Sequence, residues 1–174
     1  MSRRLSQHVA ASALWLVFAA ATAAAAPEGV QLPEYREFRL DNGALLVLME
    51  RRDVPLVSFN ASMHGGVIAE PDMLNGVAAL TAELLEKGSG MRNAREFAET
   101  VAAVGGVIEV SSGLESIVVS GEFMSRDAEL MTDLLADMLR APALENAEFE
   151  KVKLRAIQSV SAARDSDPRG LIST

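Results

Sequence analysis

The sequence predicts an α+β fold in which a mainly antiparallel sheet is covered by helices, in the order β-β-β-α-α-β-β-α-α. Short segments of alternating polarity are joined by turn residues, a pattern that is typical of β-hairpins. Longer segments carry apolar residues at helical spacing, and they follow one another in adjacent pairs. The 174 residues leave room for one domain with a sizeable core.

Three strands are predicted in the first part of the chain. Residues 35–40 and 44–49 flank Asp41-Asn42-Gly43, and this turn predicts a tight hairpin because asparagine and glycine tolerate positive φ. Residues 56–63 alternate with the period of a half-buried strand. The two alternating sets are Leu56, Ser58, Asn60 and Ser62 on one side and Val57, Phe59, Ala61 and Met63 on the other.

Residues 75–89, with the sequence NGVAALTAELLEKGS, predict the helix around which the rest of the chain is arranged. Asn75 can cap its start, and Gly88 suits a left-handed helix end. Apolar spacing predicts that one face of this helix is buried. That face consists of Val77, Leu80, Thr81, Leu84 and Leu85.

A second helix is predicted from Asn93, because Glu96 three residues later completes a capping-box pattern. Gly105-Gly106 ends this helix, and strands follow at residues 107–111 and 116–123, joined around Gly113. The buried stripe of the helix consists of Phe97, Val101 and Val104.

Two more helices are predicted at residues 126–139 and 146–164, with Pro142 between them and Asp167-Pro168 breaking the chain afterwards. The first of the two buries Leu130, Leu134, Leu135 and Met138. The second is amphipathic, and its charged residues are expected on the solvated face. They are Glu148, Glu150, Lys151 and Lys153.

The formal charge of −8 argues against nucleic acid or an anionic membrane surface as a partner. The sequence has no cysteine, so it can form neither disulfides nor a thiolate zinc site, and it cannot carry a lipid-modified cysteine.

The start of the chain has the pattern of a secretory signal. Arg3 and Arg4 precede an apolar, alanine-rich run at residues 9–26, which ends in small residues suited to cleavage. We expect residues 1–25 to be a signal peptide and the mature protein to be periplasmic or secreted. The alternative is an uncleaved N-terminal anchor in the inner membrane, because the run approaches spanning length.

Three segments together resemble the insulinase/pitrilysin metallopeptidases, the inverzincin group, and the resemblance runs from Glu37 to Arg169. These segments are the hairpin EFRLDNGALLVLME, the stretch GGVIAEPDM and the helix at residues 75–89. The helix of that family reads roughly G-L-A-H-x-x-E-H-x-x-x-K-G-T, and its H-x-x-E-H carries the metal and the base. The resemblance implies a lead-in at residues 26–36 and an N-terminal peptidase-type domain at 37–174, incomplete at its C-terminus.

The residues that carry the chemistry of the family are replaced in this chain. The resemblance places Ala79 and Glu83 at the two histidine positions, Ala82 at the catalytic glutamate and Ala156 at the third metal ligand. After signal cleavage His64 is the one histidine left, so the mature chain contains no H-x-x-E-H. The sequence therefore predicts no catalytic, cofactor-binding or metal-binding residue, and zinc is expected only in an active family partner.

Other interpretations of the polar residues are weaker. Glu83 and Glu86 could form a rebuilt carboxylate site, but Glu83 and Lys87 also have the i,i+4 spacing of an ion pair on a solvated helix face. His64, beside glycines near a strand end, is more typical of a structural or exposed histidine than of a ligand.

The resemblance implies a non-catalytic member of the family that pairs with an active, zinc-bearing homologue and helps to enclose and process peptides. The alternatives are a stand-alone periplasmic binding or scaffold module with this fold and, less favoured, an active zinc metalloendopeptidase with atypical ligands. Edge-strand pairing or apolar pockets would capture the peptide.

Overall fold

A computed structural model describes residues 33–166 of the protein. The predicted signal peptide, most of the lead-in, the Asp167-Pro168 break and the C-terminal end lie outside these residues. The described residues divide into two units, one that ends at Arg52 and one that begins at Asp53. Within the described residues, no helix is both long enough and apolar enough to cross a membrane.

The first unit contributes the predicted hairpin. Strands β1 (Tyr35–Arg39) and β2 (Leu45–Met49) pair antiparallel, and Gly43 in the turn has φ +85°. The side chain of Asn42 accepts a hydrogen bond from the Ala44 N–H at 3.0 Å, which stabilises the turn. Because β1 begins at Tyr35, the strand starts two residues before the predicted domain boundary at 37.

The second unit is built on a three-stranded antiparallel sheet, which confirms the predicted fold class. The strands are β3 (Leu56–His64), β6 (Val107–Ser112) and β7 (Ser116–Met124), in the spatial order β3-β7-β6. Between β3 and β6 in the chain lies a short hairpin, β4 (Gly88–Ser89) with β5 (Arg92–Asn93), which the sequence analysis did not predict.

In the part of the chain that the structure describes, four helices accompany the sheet, as predicted. They are α1 (Val77–Leu85), α2 (Ala94–Ala103), α3 (Ala128–Arg140) and α4 (Asn146–Ser166). Single 3-10 turns precede α1 and α3, at Val67–Ala69 and Ser125–Asp127.

The core lies between one face of the sheet and the helices. The odd-numbered residues of β3, from Val57 to Met63, face inward, so the predicted alternation is confirmed. Met131 on α3 belongs to the core although it was not predicted there. The buried cluster consists of Leu85, Phe97, Val101, Val119, Phe123, Met131, Leu134 and Met138.

The ends of α2 follow the sequence signals. The Asn93 side chain accepts from the N–H groups of Arg95 and Glu96, and the Glu96 carboxylate accepts from the Asn93 N–H, so the capping box is complete. At the other end Gly105 adopts φ +66°, and Gly106 N–H bonds to Val101 C=O at 3.0 Å, which closes a Schellman motif.

The start of α1 differs from the prediction. Asn75 does not cap it; the N-cap residue is Gly76, and the carboxylate of Glu70 lies across the helix start instead. The Gly76 and Ala78 N–H groups donate to the two oxygens of Glu70 at 2.9 and 3.0 Å. A carboxylate at this position accepts hydrogen bonds from two N–H groups at the helix start, and the positive end of the helix dipole stabilises its negative charge.

We expect Glu70→Ala to lower the free energy of unfolding by about 1–2 kcal/mol, because two N–H groups at the start of α1 lose a charged acceptor. Asp72→Ala is the matched control. Asp72 is an exposed acid two residues away, and its removal should cost less than about 0.5 kcal/mol. Urea denaturation compares the two variants, and equal losses would show that Glu70 is not the cap.

The buried face of α1 is also rotated from the prediction. Leu84 and Leu85 are buried as expected, but Val77 is exposed and the other buried residues are Ala78 and Ala82. The helix lies against β6 and α4. The small side chains on this face allow α1 to pack closely against its neighbours. A prediction based on the spacing of large apolar residues does not detect such a contact.

Candidate functional site

A groove of about 700 Å³ runs between α1 and α4, and it contains three of the four positions at which the resemblance expected zinc chemistry. These are Ala79 and Glu83 on α1 and Ala156 on α4. Ala82, the fourth, is only 4% exposed and belongs to the buried face of α1. The full lining is Asn75, Gly76, Ala79, Leu80, Glu83, Lys153, Arg155, Ala156, Ile157, Ser159, Val160 and Ser161.

The helices place these residues for simple geometric reasons. Ala79 and Glu83 are four residues apart, so they lie on the same face of α1 one turn from each other. On α4, Val152 is fully buried, and Ala156 follows it by one turn and is half-buried. The contact between α1 and α4 therefore brings Ala156 to the same groove.

An ion pair joins the two walls of the groove. The Arg155 guanidinium lies 2.5 Å from the Glu83 carboxylate. Glu83 is therefore paired across the groove. The sequence spacing had predicted a pair with Lys87 on the same helix instead. Both side chains keep substantial exposure, at 57% for Arg155 and 36% for Glu83. Such a pair contributes about 0–1 kcal/mol to stability, so its main effect is to orient the two side chains.

The residues of the groove do not fit a zinc ion. A catalytic zinc site needs three protein ligands, commonly imidazoles and a carboxylate. Here two of the three ligand positions are alanine, and the single carboxylate already has a cation as its partner. Between residues 33 and 166 there is no group of three or more His, Asp or Glu side chains that could hold a metal ion.

The neighbouring carboxylate, Glu86, points to a different partner. Its Oε1 atom accepts a hydrogen bond from the backbone N–H of Val110 on β6 at 2.8 Å. Glu83 and Glu86 therefore bind α4 and β6 respectively, and they do not converge on one site. Sequence reasoning singled out Glu86 only as a possible companion of Glu83, since no local pattern identifies a strand N–H as its partner.

Two further predictions concern residues outside the groove. His64 is exposed at the end of β3, opposite Ser116 on β7. Glu148 was expected on the solvated face of α4, but its side chain is only 17% exposed and bonds to Lys151 at 2.6 Å. The pairing with Lys151 makes this burial tolerable, because a buried carboxylate needs a charged or hydrogen-bonding partner.

Comparison with known proteins agrees with this architecture. The family model "Insulinase (Peptidase family M16)" matches residues 46–173. The chain is 23% identical to the "Uncharacterized zinc protease YmxG" of Bacillus subtilis, over 75% of this chain and 32% of that protein. It is 26% identical to "Cytochrome b-c1 complex subunit 1, mitochondrial" of Caenorhabditis elegans, over 76% of this chain and 28% of that protein.

A solved structure shares the fold. The crystal structure of a peptidase M16 inactive domain from Pseudomonas fluorescens superposes with a TM-score of 0.72 at 18% identity, over 80% of this chain and 34% of the other. The chain thus spans about a third of the length of the relatives it matches. Because the family model covers most of the chain, the chain belongs to the insulinase family, peptidase family M16.

Proposed function

We propose that this chain is a non-catalytic member of the family that pairs with an active, zinc-bearing homologue and helps to enclose and process peptides. The observation that carries the proposal is the groove between α1 and α4, where Ala79, Glu83 and Ala156 lie together and Glu83 is held by Arg155. The groove brings together positions that the resemblance assigns to metal ligands, but it has neither the ligands nor the base that hydrolysis requires.

The comparisons support a role in an assembly. One of the relatives is by its name a subunit of the cytochrome b-c1 complex, and one of the solved structures is an inactive M16 domain. A domain without catalytic groups can still contribute to peptide processing by forming one wall of the site and holding the substrate chain. We further propose that the mature protein is periplasmic or secreted, because a basic start and an alanine-rich run precede the domain.

A pull-down of the tagged full-length protein from its own periplasmic fraction tests the proposal. We expect a homologue with an intact H-x-x-E-H motif to co-purify, and the complex to cleave unstructured peptides in a chelator-sensitive manner. The chain alone should be inactive, and deletion of its gene should lower the activity of the homologue.

Two other results would contradict this function. A monomeric protein that binds peptides without any peptidase partner would favour the stand-alone binding or scaffold module. Peptide cleavage by the purified chain alone, together with stoichiometric zinc and loss of activity on Glu83→Ala, would instead identify an active peptidase with atypical ligands.

A further inference from the structure

Helix α4 packs against the rest of its unit over its first half only. Val152 is fully buried, and Glu148, Phe149 and Ala156 are half-buried. From residue 157 to residue 164 every residue is exposed, although several of them form one wall of the groove. A few side chains therefore attach this helix, and its second half lies beside α1 with little buried surface of its own.

The segment between α3 and α4 is fixed to β4. Residues 141–143 run antiparallel to β4 as a short extra strand. The Gly90 N–H donates to the carbonyl of the first of these residues at 2.8 Å, and the N–H of the last donates to the Gly88 carbonyl at 3.0 Å. Only residues 144–145 separate this fixed strand from the start of α4. The direction in which α4 leaves the strand is therefore set by two residues.

Leu144 has the strained backbone of a hinge. Its φ is +44°, in the left-handed region that costs a non-glycine residue free energy because Cβ approaches the backbone. The residue is 50% exposed, so burial of its side chain does little to offset that cost. Such a conformation persists only where the surrounding structure imposes it. Here the strand 141–143 fixes one side of Leu144 and the buried Val152 fixes the other, so the strain belongs to the position of α4 against α1.

We propose that α4 swings about Leu144 and so opens and closes the groove between α1 and α4. In the closed position, which is the observed one, Val152 is buried and Arg155 pairs with Glu83. In the open position Leu144 relaxes to negative φ, while the burial of Val152 and the ion pair are lost. The closed position is the major one because the buried contact outweighs the strain, and the open one is a minor state of the same chain.

This movement regulates access to the groove that carries the proposed function, but it does not require that function to be correct. It is a property of α4, the connecting segment and α1. The exposed ion pair between Arg155 and Glu83 adds little to the closed position, so the balance depends on Leu144 and on the few buried residues of α4.

Spin labels on the two walls of the groove test the proposal in the full-length protein. The sequence has no cysteine, so two introduced cysteines can be labelled without background. One replaces Val77 on α1 and the other replaces Gln158 on α4, since both residues are exposed and neither lines the groove. Double electron–electron resonance then measures the distribution of distances between the labels. We expect a main distance that matches the closed position and a minor, longer one.

Leu144→Asn and Leu144→Val should shift this distribution in opposite directions. Asparagine tolerates the left-handed conformation and stabilises the closed position, whereas the branched side chain of valine disfavours it. We expect the ratio of open to closed to fall about 5-fold in the first variant and to rise about 5-fold in the second. The same two changes at Leu114 are the controls. Leu114 is 63% exposed and is not one of the positive-φ residues, so the ratio should stay unchanged.

Val152→Ala weakens the closed position without altering the backbone at Leu144. Because it removes part of the buried contact of α4, we expect it to raise the ratio of open to closed about 10-fold and to make the longer distance prominent.

Three results would overturn the proposal. A single distance in every variant, Val152→Ala included, would show that α4 does not move. Equal ratios in Leu144→Asn and Leu144→Val would show that the movement has another hinge, and shifts of the same size in the Leu114 controls would show that the effect is not specific to the strained residue. No peptide or partner is present in these measurements, so their outcome is separate from that of the proposed pairing with an active homologue.

Discussion

Replacing Leu134 by alanine is expected to lower the free energy of unfolding by about 2–5 kcal/mol. Leu134 lies on α3 with no exposed surface, within the cluster that joins the helix to Val119 and Phe123 of the sheet. Removing its isobutyl group loses transfer free energy and leaves a cavity that its neighbours can fill only in part. Urea denaturation monitored by circular dichroism measures the loss.

Leu139→Ala is the matched control, because it makes the same chemical change on the same helix. Leu139 is 39% exposed and lies outside the buried cluster, so its truncation should cost less than about 1 kcal/mol. Losses of similar size in the two variants would contradict the position of the core between α3 and the sheet.

The parts of the fold that could be predicted from the sequence depend on neighbours in the chain. The hairpin turn at Asn42-Gly43, the alternation of β3 and the capping box between Asn93 and Glu96 each involve residues no more than a few positions apart. Such patterns follow from backbone geometry, and the structure confirms them.

The interactions that the sequence did not predict join distant parts of the chain. Glu83 binds Arg155 on another helix, and Glu86 binds the backbone of Val110, twenty-four residues away. Glu70 caps the start of α1 although it lies six residues before Gly76 in the chain. Glu83 also has a local candidate partner in Lys87, and for all three carboxylates the packing of the elements determines which partner is reached.

The burial of Ala82 also results from packing between distant parts of the chain. Alanine contributes little to an apolar pattern, so the buried face of α1 was assigned to its larger residues. In the structure α1 packs against β6, and the small side chains of Ala78 and Ala82 are buried instead. The structure brings the groove positions Ala79, Glu83 and Ala156 together, while Ala82 lies on the buried face of α1.

We expect the combined variant Ala79→His, Glu83→His and Ala156→Glu to bind one zinc ion, which the wild-type protein should not do. The three positions line one groove, so two imidazoles one helical turn apart would face a carboxylate from α4, a common catalytic zinc ligand set. Metal analysis after dialysis gives the stoichiometry. Free zinc at 100 times its dissociation constant should raise the free energy of unfolding by about 2.7 kcal/mol.

The variant with only the two histidines is the control, and it should bind zinc much more weakly because α4 then supplies no ligand. Adding Arg155→Ala to the combined variant should tighten binding, since the guanidinium that held Glu83 would otherwise place a positive charge beside the metal. Equal zinc content in the combined variant and the wild type would contradict the geometry of the groove, and stoichiometric zinc in the wild type would contradict the proposed function.

Zinc binding alone should not restore hydrolysis, and the reason lies in Ala82. The family places its base at this position, but here the side chain is 4% exposed and packs on the buried side of α1. Adding Ala82→Glu to the combined variant would bury a carboxylate at a closely packed contact, which costs several kcal/mol unless α1 shifts.

We therefore expect this variant to be less stable than its zinc-binding parent and to remain inactive on peptides, as thermal denaturation and a peptidase assay can check. Recovery of activity without loss of stability would instead show that α1 can rotate Ala82 into the groove.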